Sequence, residues 1–496
     1  MKAILLSLVG SLISALAFGQ ENVLLNRDFW KSNPSIAQVE QAISRGSDPT
    51  ELNPNMFDAV TYALIKRADN ETVKYLLGIK GNEVDKLTHD GRTYIFWAAY
   101  KDNMEIMQWL VDRGARADLE DSHGYSVVNF AAVSGQVNPE LYDFLLEHGA
   151  DVKATNRDGA NALLLVSPFA TDFKILNYFV VKGLPFDSVD DHGNGIFQYA
   201  SKGGHIPLLQ ELITKGIDPG TLNKKGENAL FMAARATRST QNDRAVFEYL
   251  EGLGLQADVV NADGQNLLHL LAGRNEDLSL FNHLIGQGLR VDLQDHRGLS
   301  PFMMAASGNE LKVVQLVGES VDNLDVMDEK GRTALAMAIA GNAPEVSEYL
   351  LEKGADVQIV DKNGNSLAYY LLQSYNPAMP EEFEAKAVLL RDAGLDLSKT
   401  QHDGNTLLHL AAMDNNLSLI KRLREFDIDI NAKNDEGNTA LLLAAMSTDD
   451  GKTLSYLVSE GADTSARTAF DESVYDLATE NELLKENQIP LDFLKM

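Results

Sequence analysis

Thr406-Leu407-Leu408-His409-Leu410-Ala411-Ala412, two residues beyond Gly404, is the stretch on which the reading of this chain turns. Working outward, the same phrase returns in the same phase. It reads Asn266-Leu267-Leu268-His269-Leu270, then Ser300-Pro301-Phe302-Met303-Met304-Ala305-Ala306, then Thr333-Ala334-Leu335-Ala336-Met337-Ala338. Each copy follows a turn glycine, and these glycines stand at positions 91, 124, 159, 193, 226, 264, 298, 331, 364, 404 and 437. The gaps between them are 33, 35, 34, 33, 38, 34, 33, 33, 40 and 33 residues, so the chain is an array of one small unit with a few insertions.

A second phrase runs in step with the first: Gly149-Ala150-Asp151, Gly354-Ala355-Asp356 and Gly461-Ala462-Asp463. With both motifs in one phase, the chain resembles the ankyrin-repeat family over nearly all of its length after the first residues. The physical role of each part is clear. The turn glycine permits positive φ in a hairpin. Paired alanines such as Ala98-Ala99, Ala131-Ala132 and Ala444-Ala445 let an inner helix lie close to its neighbour. Leucine pairs such as Leu145-Leu146 and Leu350-Leu351 supply the buried stripe of a second helix, and a glycine such as Gly354 ends it. The resemblance implies an all-α solenoid of stacked helix-turn-helix repeats with short β-hairpin fingers.

The ends differ from the middle, as caps of a solenoid must. Met1-Lys2, an apolar run to Phe18 and small residues at Ala15, Ala17 and Gly19 have the order of a secretory signal peptide, expected over 1–19. Residues 20–56 are expected to form a capping, degenerate repeat, 57–466 the repeat array, and 467–496 a C-terminal capping repeat, about fourteen units in all. No later stretch is long and apolar enough for a membrane span. The expected location is therefore outside the cytoplasm, periplasmic or secreted.

Composition narrows the function. The formal charge is −29, or −29 − 1 = −30 once Lys2 leaves with the signal. So acidic a chain repels phosphate backbones, which argues against nucleic acid as partner. There is no cysteine, which removes disulfides, thiol catalysis and thiolate metal sites. Asp450-Gly451-Lys452-Thr453 lacks the first glycine of a phosphate loop, since Met446 stands there. Asp427, Asp429 and Asn431 begin like a calcium loop, but Ala432 and Asn438 replace its turn glycine and last glutamate. With no catalytic motif, the expectation is a protein without enzymatic activity or cofactor. Five histidines, His89, His123, His192, His296 and His402, fall just before turn glycines. They read as solvated turn residues, with a shared metal or a pH response the alternative for His89 and His123 on adjacent fingers. His269 and His409 occupy the motif histidine and read as structural.

The resemblance also implies where a partner sits: on finger tips and on the concave face of the inner helices. Carried over, the exposed positions are the two residues before each turn glycine, the one after it, and the two after the paired alanines. Basic and acidic residues nearly balance on the tips, which places the negative charge on second helices such as Pro344-Glu345-Val346-Ser347-Glu348. Aromatic and arginine side chains mark binding hot spots. The candidate partner-binding patch is therefore His89, Asp90, Arg92, Tyr100, His123 and Tyr125, with Phe96 and Trp97 beside it packing between repeats. The expected function is a protein–protein interaction scaffold of the cell envelope. An inhibitor or immunity protein, or an accessory factor for an exported stress-defence enzyme such as a catalase, is the alternative.

Overall fold

The computed structural model describes residues 22–495, so the expected signal segment over 1–19 lies outside the described residues. Among the described residues are 28 α-helices, six short 3₁₀ turns and no strand longer than an isolated bridge. They form two compact units. The first comprises the described residues to Lys224 together with Ala236–Thr240, the second Lys225–Arg235 and the described residues from Gln241 onward.

The repeat is built as its motif dictates. Thr406 is extended, and its hydroxyl oxygen accepts the His409 N–H, capping the helix Leu407–Met413. His409 Nδ1 in turn accepts the Thr406 N–H, which leaves the proton on Nε2 to donate to the Asn438 carbonyl of the next repeat at 3.0 Å. Asn266, His269 and the Leu299 carbonyl repeat the arrangement. Both rings are buried, and burial pushes both imidazoles below their ordinary pKa. The motif histidine is thus a neutral strut between repeats.

Ala411 and Ala412 are fully buried where Leu407–Met413 lies against the next inner helix, Ala440–Ser447. A larger side chain there would push the helices apart. Each second helix buries one stripe, Leu419, Ile420 and Leu423 in Leu417–Leu423. Asparagines tie successive helix ends together. Asn309 Nδ2 donates to Ala272 O and Asn275 O, and Asn342 Nδ2 to Ala306 O and Asn309 O.

The fingers are tighter than full hairpins. Four close with a single bridge: Glu120 with Ser126, Thr155 with Asn161, Val189 with Gly195, and Arg467 with Ser473. Their order comes from two other sources. An Asp or Asn three residues before most turn glycines folds its side chain back onto the turn. Asp328 Oδ1 accepts the N–H groups of Lys330 and Arg332, and Asn434 Oδ1 those of Glu436 and Asn438. The backbone then links finger to finger. Within the first unit, Ser122 N–H donates to Asp90 O, Asp191 N–H to Asp158 O, and Lys224 N–H to His192 O. Within the second, the pairs are Ala262 to Lys225, His296 to Asp263, Glu329 to Arg297, Lys362 to Lys330, and Asp435 to Asp403.

Near the amino end, Trp30 is buried and its indole N–H donates to Leu24 O, so residues from Asn22 to Ser44 cover the first regular helix pair, Ala59–Ile65 and Asn70–Leu77. Residues 236–243 and 374–379 carry no helix, and each joins the first helix of its repeat to the second; they are the insertions behind the glycine gaps of 38 and 40 residues.

Candidate partner-binding surface

Five of the six expected residues converge in the first unit. Asp90, held at φ 58° on the tip of its finger, is the hub. Its carboxylate faces His89 Nε2 at 3.3 Å, His123 Nε2 of the next finger at 3.3 Å, and Arg92 Nη1 at 3.0 Å. His89 stacks on Phe57 with centroids 4.3 Å apart, and its Nδ1 lies 2.9 Å from Asn55 O. Behind them runs an aromatic file on the inner helices. Arg92 lies 4.1 Å over the Phe130 ring, Phe130 stacks on Tyr100, and Lys101 Nζ sits 4.4 Å over Tyr100. Tyr125 joins only through its backbone, whose N–H donates to Asp121 Oδ1. Phe96 and Trp97 are buried, and the Trp97 indole N–H donates to Thr88 Oγ1.

Arg92 corrects the expectation that the residue after each turn glycine is exposed. It is 7% exposed, with Nε and Nη2 on Asp121 Oδ2 at 2.8 and 2.7 Å. The same position is buried as Ala160, Asn194, Glu227, Asn365, Asn405 and Asn438, and half-buried as Tyr125, Gln265, Leu299 and Arg332. The cause is a contact between repeats. In four further repeats this side chain meets the residue three places before the next turn glycine, Asn194 with Asn223, Glu227 with Asn261, Gln265 with Asp295 and Asn405 with Asn434, whereas Arg332 and Asn365 turn to Asp328 and Asp361 of their own fingers. Counting residues from the glycine identifies both partners but not that they touch. What the recurring Asp or Asn could have signalled was the need for a partner one repeat earlier.

The exposed part of the patch is therefore smaller than six residues. His123 is 56% exposed and His89 35%, while Asp90, Tyr100 and Tyr125 are half-buried. No group of three His, Cys, Asp or Glu side chains placed to hold a metal ion occurs among the described residues. His192 and His402 each face one carboxylate, Asp158 at 3.7 Å and Asp403 at 3.3 Å.

A buried polar network that sequence reading missed lies beneath this surface. The Tyr94 hydroxyl donates to Asp58 Oδ2 at 2.6 Å, Lys86 Nζ lies 2.9 Å from the same oxygen, and Asp58 Oδ1 caps the helix Ala59–Ile65 through Thr61 N–H. Burial beside that carboxylate holds the Tyr94 phenol far above its ordinary pKa. With the carboxylate paired and enclosed, the network is a strut. Asp450-Gly451-Lys452-Thr453 likewise has an ordinary use. Lys452 pairs with Asp450, and Thr453 donates to Asn415 Oδ1 as the second helix Lys452–Ser459 begins.

Comparison with known proteins agrees with this geometry. The family model described as ankyrin repeats (3 copies) matches residues 60–156, 268–361 and 363–468. The ankyrin repeat protein nuc-2 of Neurospora crassa is 27% identical over 197 residues, 40% of this chain and 18% of that protein. The human transient receptor potential cation channel subfamily A member 1 is 23% identical over 274 residues, 53% of this chain and 24% of the channel. The mouse ankyrin repeat and SAM domain-containing protein 6 is 32% identical over 121 residues, 24% of this chain and 13% of that protein. The aligned stretches thus span a quarter or less of these relatives. No helix among the described residues is long and apolar enough to cross a membrane. With both repeat motifs, the helix pairs, the finger turns and a family match over more than half of its length, the chain belongs to the ankyrin-repeat family.

Proposed function

We propose that this protein is an exported scaffold of the cell envelope, periplasmic or secreted, that holds a partner protein against its finger tips and concave inner helices and carries out no reaction of its own. Ankyrin repeats mediate protein–protein interaction, and that is the general ground for the reading. The observation that carries it here is the junction of two fingers in the first unit. A backbone bond from Ser122 to Asp90 and the buried Arg92–Asp121 pair hold His89, Asp90, His123 and Tyr100 in one fixed group open to solvent. Such preorganisation lowers the ordering cost of association. The order of residues 1–19 supports export.

The test uses the tagged chain in its native cells. Fractionation and mass spectrometry of its amino terminus should find it outside the cytoplasm, beginning after Ala17 or Gly19. Affinity capture should recover a protein that is lost from a Tyr100→Ala/His123→Ala variant. Arg92 is kept, because its loss would disturb the fold. A chain retained in the cytoplasm with residue 2 intact refutes export, and equal recovery by both proteins refutes the patch.

A further inference from the structure

The second unit has a hollow of its own. It measures about 490 Å³, within the range of ligand-binding clefts, and is walled by Leu299, Met304, Met337 and Tyr370. Arg297 and Arg332 line it too, together with Gln373. The hollow exists because of one register of the inner helix. Where other repeats carry Tyr100, Val133, Met413 and Met446, three consecutive repeats carry Gly273, Ser307 and Ala340. Packing does not demand this at every point. A Cβ on Gly273 would come no closer than 3.9 Å to Met304 O, and one on Gly308 would meet nothing within 4 Å.

The charge is as specific as the shape. Arg297 is 58% exposed and touches Asp295 through Nη2 alone, at 3.4 Å. Arg332 directs Nε and Nη2 to a single oxygen of Asp328, at 2.8 and 2.7 Å. Asp295 and Asp328 are almost wholly buried, so the charge offered to solvent is the guanidinium. Exposed Lys330 on the finger of Arg332 and exposed Lys362 on the next finger add to it, against exposed Glu329. In a chain of net charge −29, this is a local surface suited to carboxylates.

Apart from Arg297, Leu299 and Arg332 on the fingers, the lining residues come from four inner helices, Leu267–Leu271 with its flanking Gly273, Pro301–Gly308, Ala334–Gly341 and Leu367–Gln373. Three interhelical spacings of roughly 9 Å make about 27 Å, the length of about eight extended residues. Methionine walls adapt to varied apolar side chains.

We propose that this hollow binds an extended segment of a partner protein, about eight residues long, in which apolar side chains alternate with acidic ones whose carboxylates are taken by Arg297 and Arg332. It rests on the interaction reading above, but on residues other than the patch in the first unit.

The test is selection of a displayed random octapeptide library on the full chain, followed by synthesis of the enriched peptides and measurement of their affinity by fluorescence anisotropy. Enriched sequences should combine acidic with apolar residues. Their affinity should fall at least about tenfold on the filled variant Gly273→Met/Gly308→Met, and several-fold on Arg297→Gln or when Gln replaces their acidic residues. A circular dichroism melt no lower than wild type shows that the filled variant folds. The proposal is overturned if no octapeptide is enriched, if enriched peptides bind the filled variant within twofold, or if they are basic or indifferent to Arg297→Gln. A partner still captured through Tyr100 and His123 would then leave the interaction reading standing.

Discussion

Removing the Arg92 guanidinium strands the Asp121 carboxylate, which has no exposed side-chain surface and would keep only its backbone donors. An uncompensated buried charge costs about 3 kcal/mol or more. Arg92→Ala should therefore lower the stability of the first unit by about that amount in urea titration. Asp121→Ala/Arg92→Ala together should cost less than the sum of the two single changes, because they share one interaction. An unshifted midpoint for Arg92→Ala would show that the pair is not structural. The buried histidines make a second prediction at this scale. Burial lowers the folded pKa of His269 and His409 below 6.5, so on acidification the unfolded chain takes up the protons first. Their contribution is complete above about pH 6.5 and is lost as pH falls through the folded values. The urea midpoint followed by circular dichroism should drop over that interval, and His269→Gln/His409→Gln should flatten the slope. These two roles differed in legibility. The motif position made the histidines readable as structural, whereas Arg92 looked like a solvated finger residue because its partner lies 29 positions away.

At the scale of the element, fingers depend on glycine for two separable reasons. Gly331 and Gly437 share φ +82°, but a Cβ on Gly331 would fall 2.6 Å from Lys362 N, the donor of a finger-to-finger bond, while one on Gly437 meets open space. Gly437→Ala should cost about 1 kcal/mol for backbone strain alone. Gly331→Ala should cost about 2 kcal/mol or more and break the bond from Lys362 to Lys330. Equal costs, measured by urea titration, would mean that the fingers do not support one another. The second insertion shows what the repeat period conceals. Lys386, on the helix Pro380–Asp392, is 2% exposed and sends Nζ to Ile339 O at 3.0 Å, and burial depresses its pKa. It satisfies a helix-end carbonyl, as Asn309 and Asn342 do in neighbouring repeats. Lys386→Met leaves that carbonyl without a partner and should cost about 1–3 kcal/mol. Nothing in the sequence around Pro380 marks this lysine, because its partner is fixed by stacking.

Across the whole molecule, the three tryptophans, Trp30, Trp97 and Trp109, all lie in the first unit. Selectively excited tryptophan fluorescence therefore reports that unit alone, and circular dichroism reports both. Repeat arrays are stabilised mainly by contacts between neighbours, so Arg92→Ala should shift the fluorescence transition further than the circular dichroism transition. Coincident shifts would show that the array unfolds as one cooperative body. Sequence reading captured most of the architecture because a 33-residue period states which surfaces stack, whatever the individual side chains. It captured the candidate surface less well, since exposure there depends on hydrogen bonds across repeat boundaries, as at Arg92 and Glu227. The finger-to-finger bonds have one further consequence, concerning how this family varies. The 38 residues between Gly226 and Gly264 include the first insertion, yet Ala262 still reaches Lys225 as in uninterrupted repeats. Distance along the gene and distance along the row of fingers are therefore uncoupled, and loops such as 236–243 can lengthen or shorten over generations without breaking the bond that sets one finger against the next.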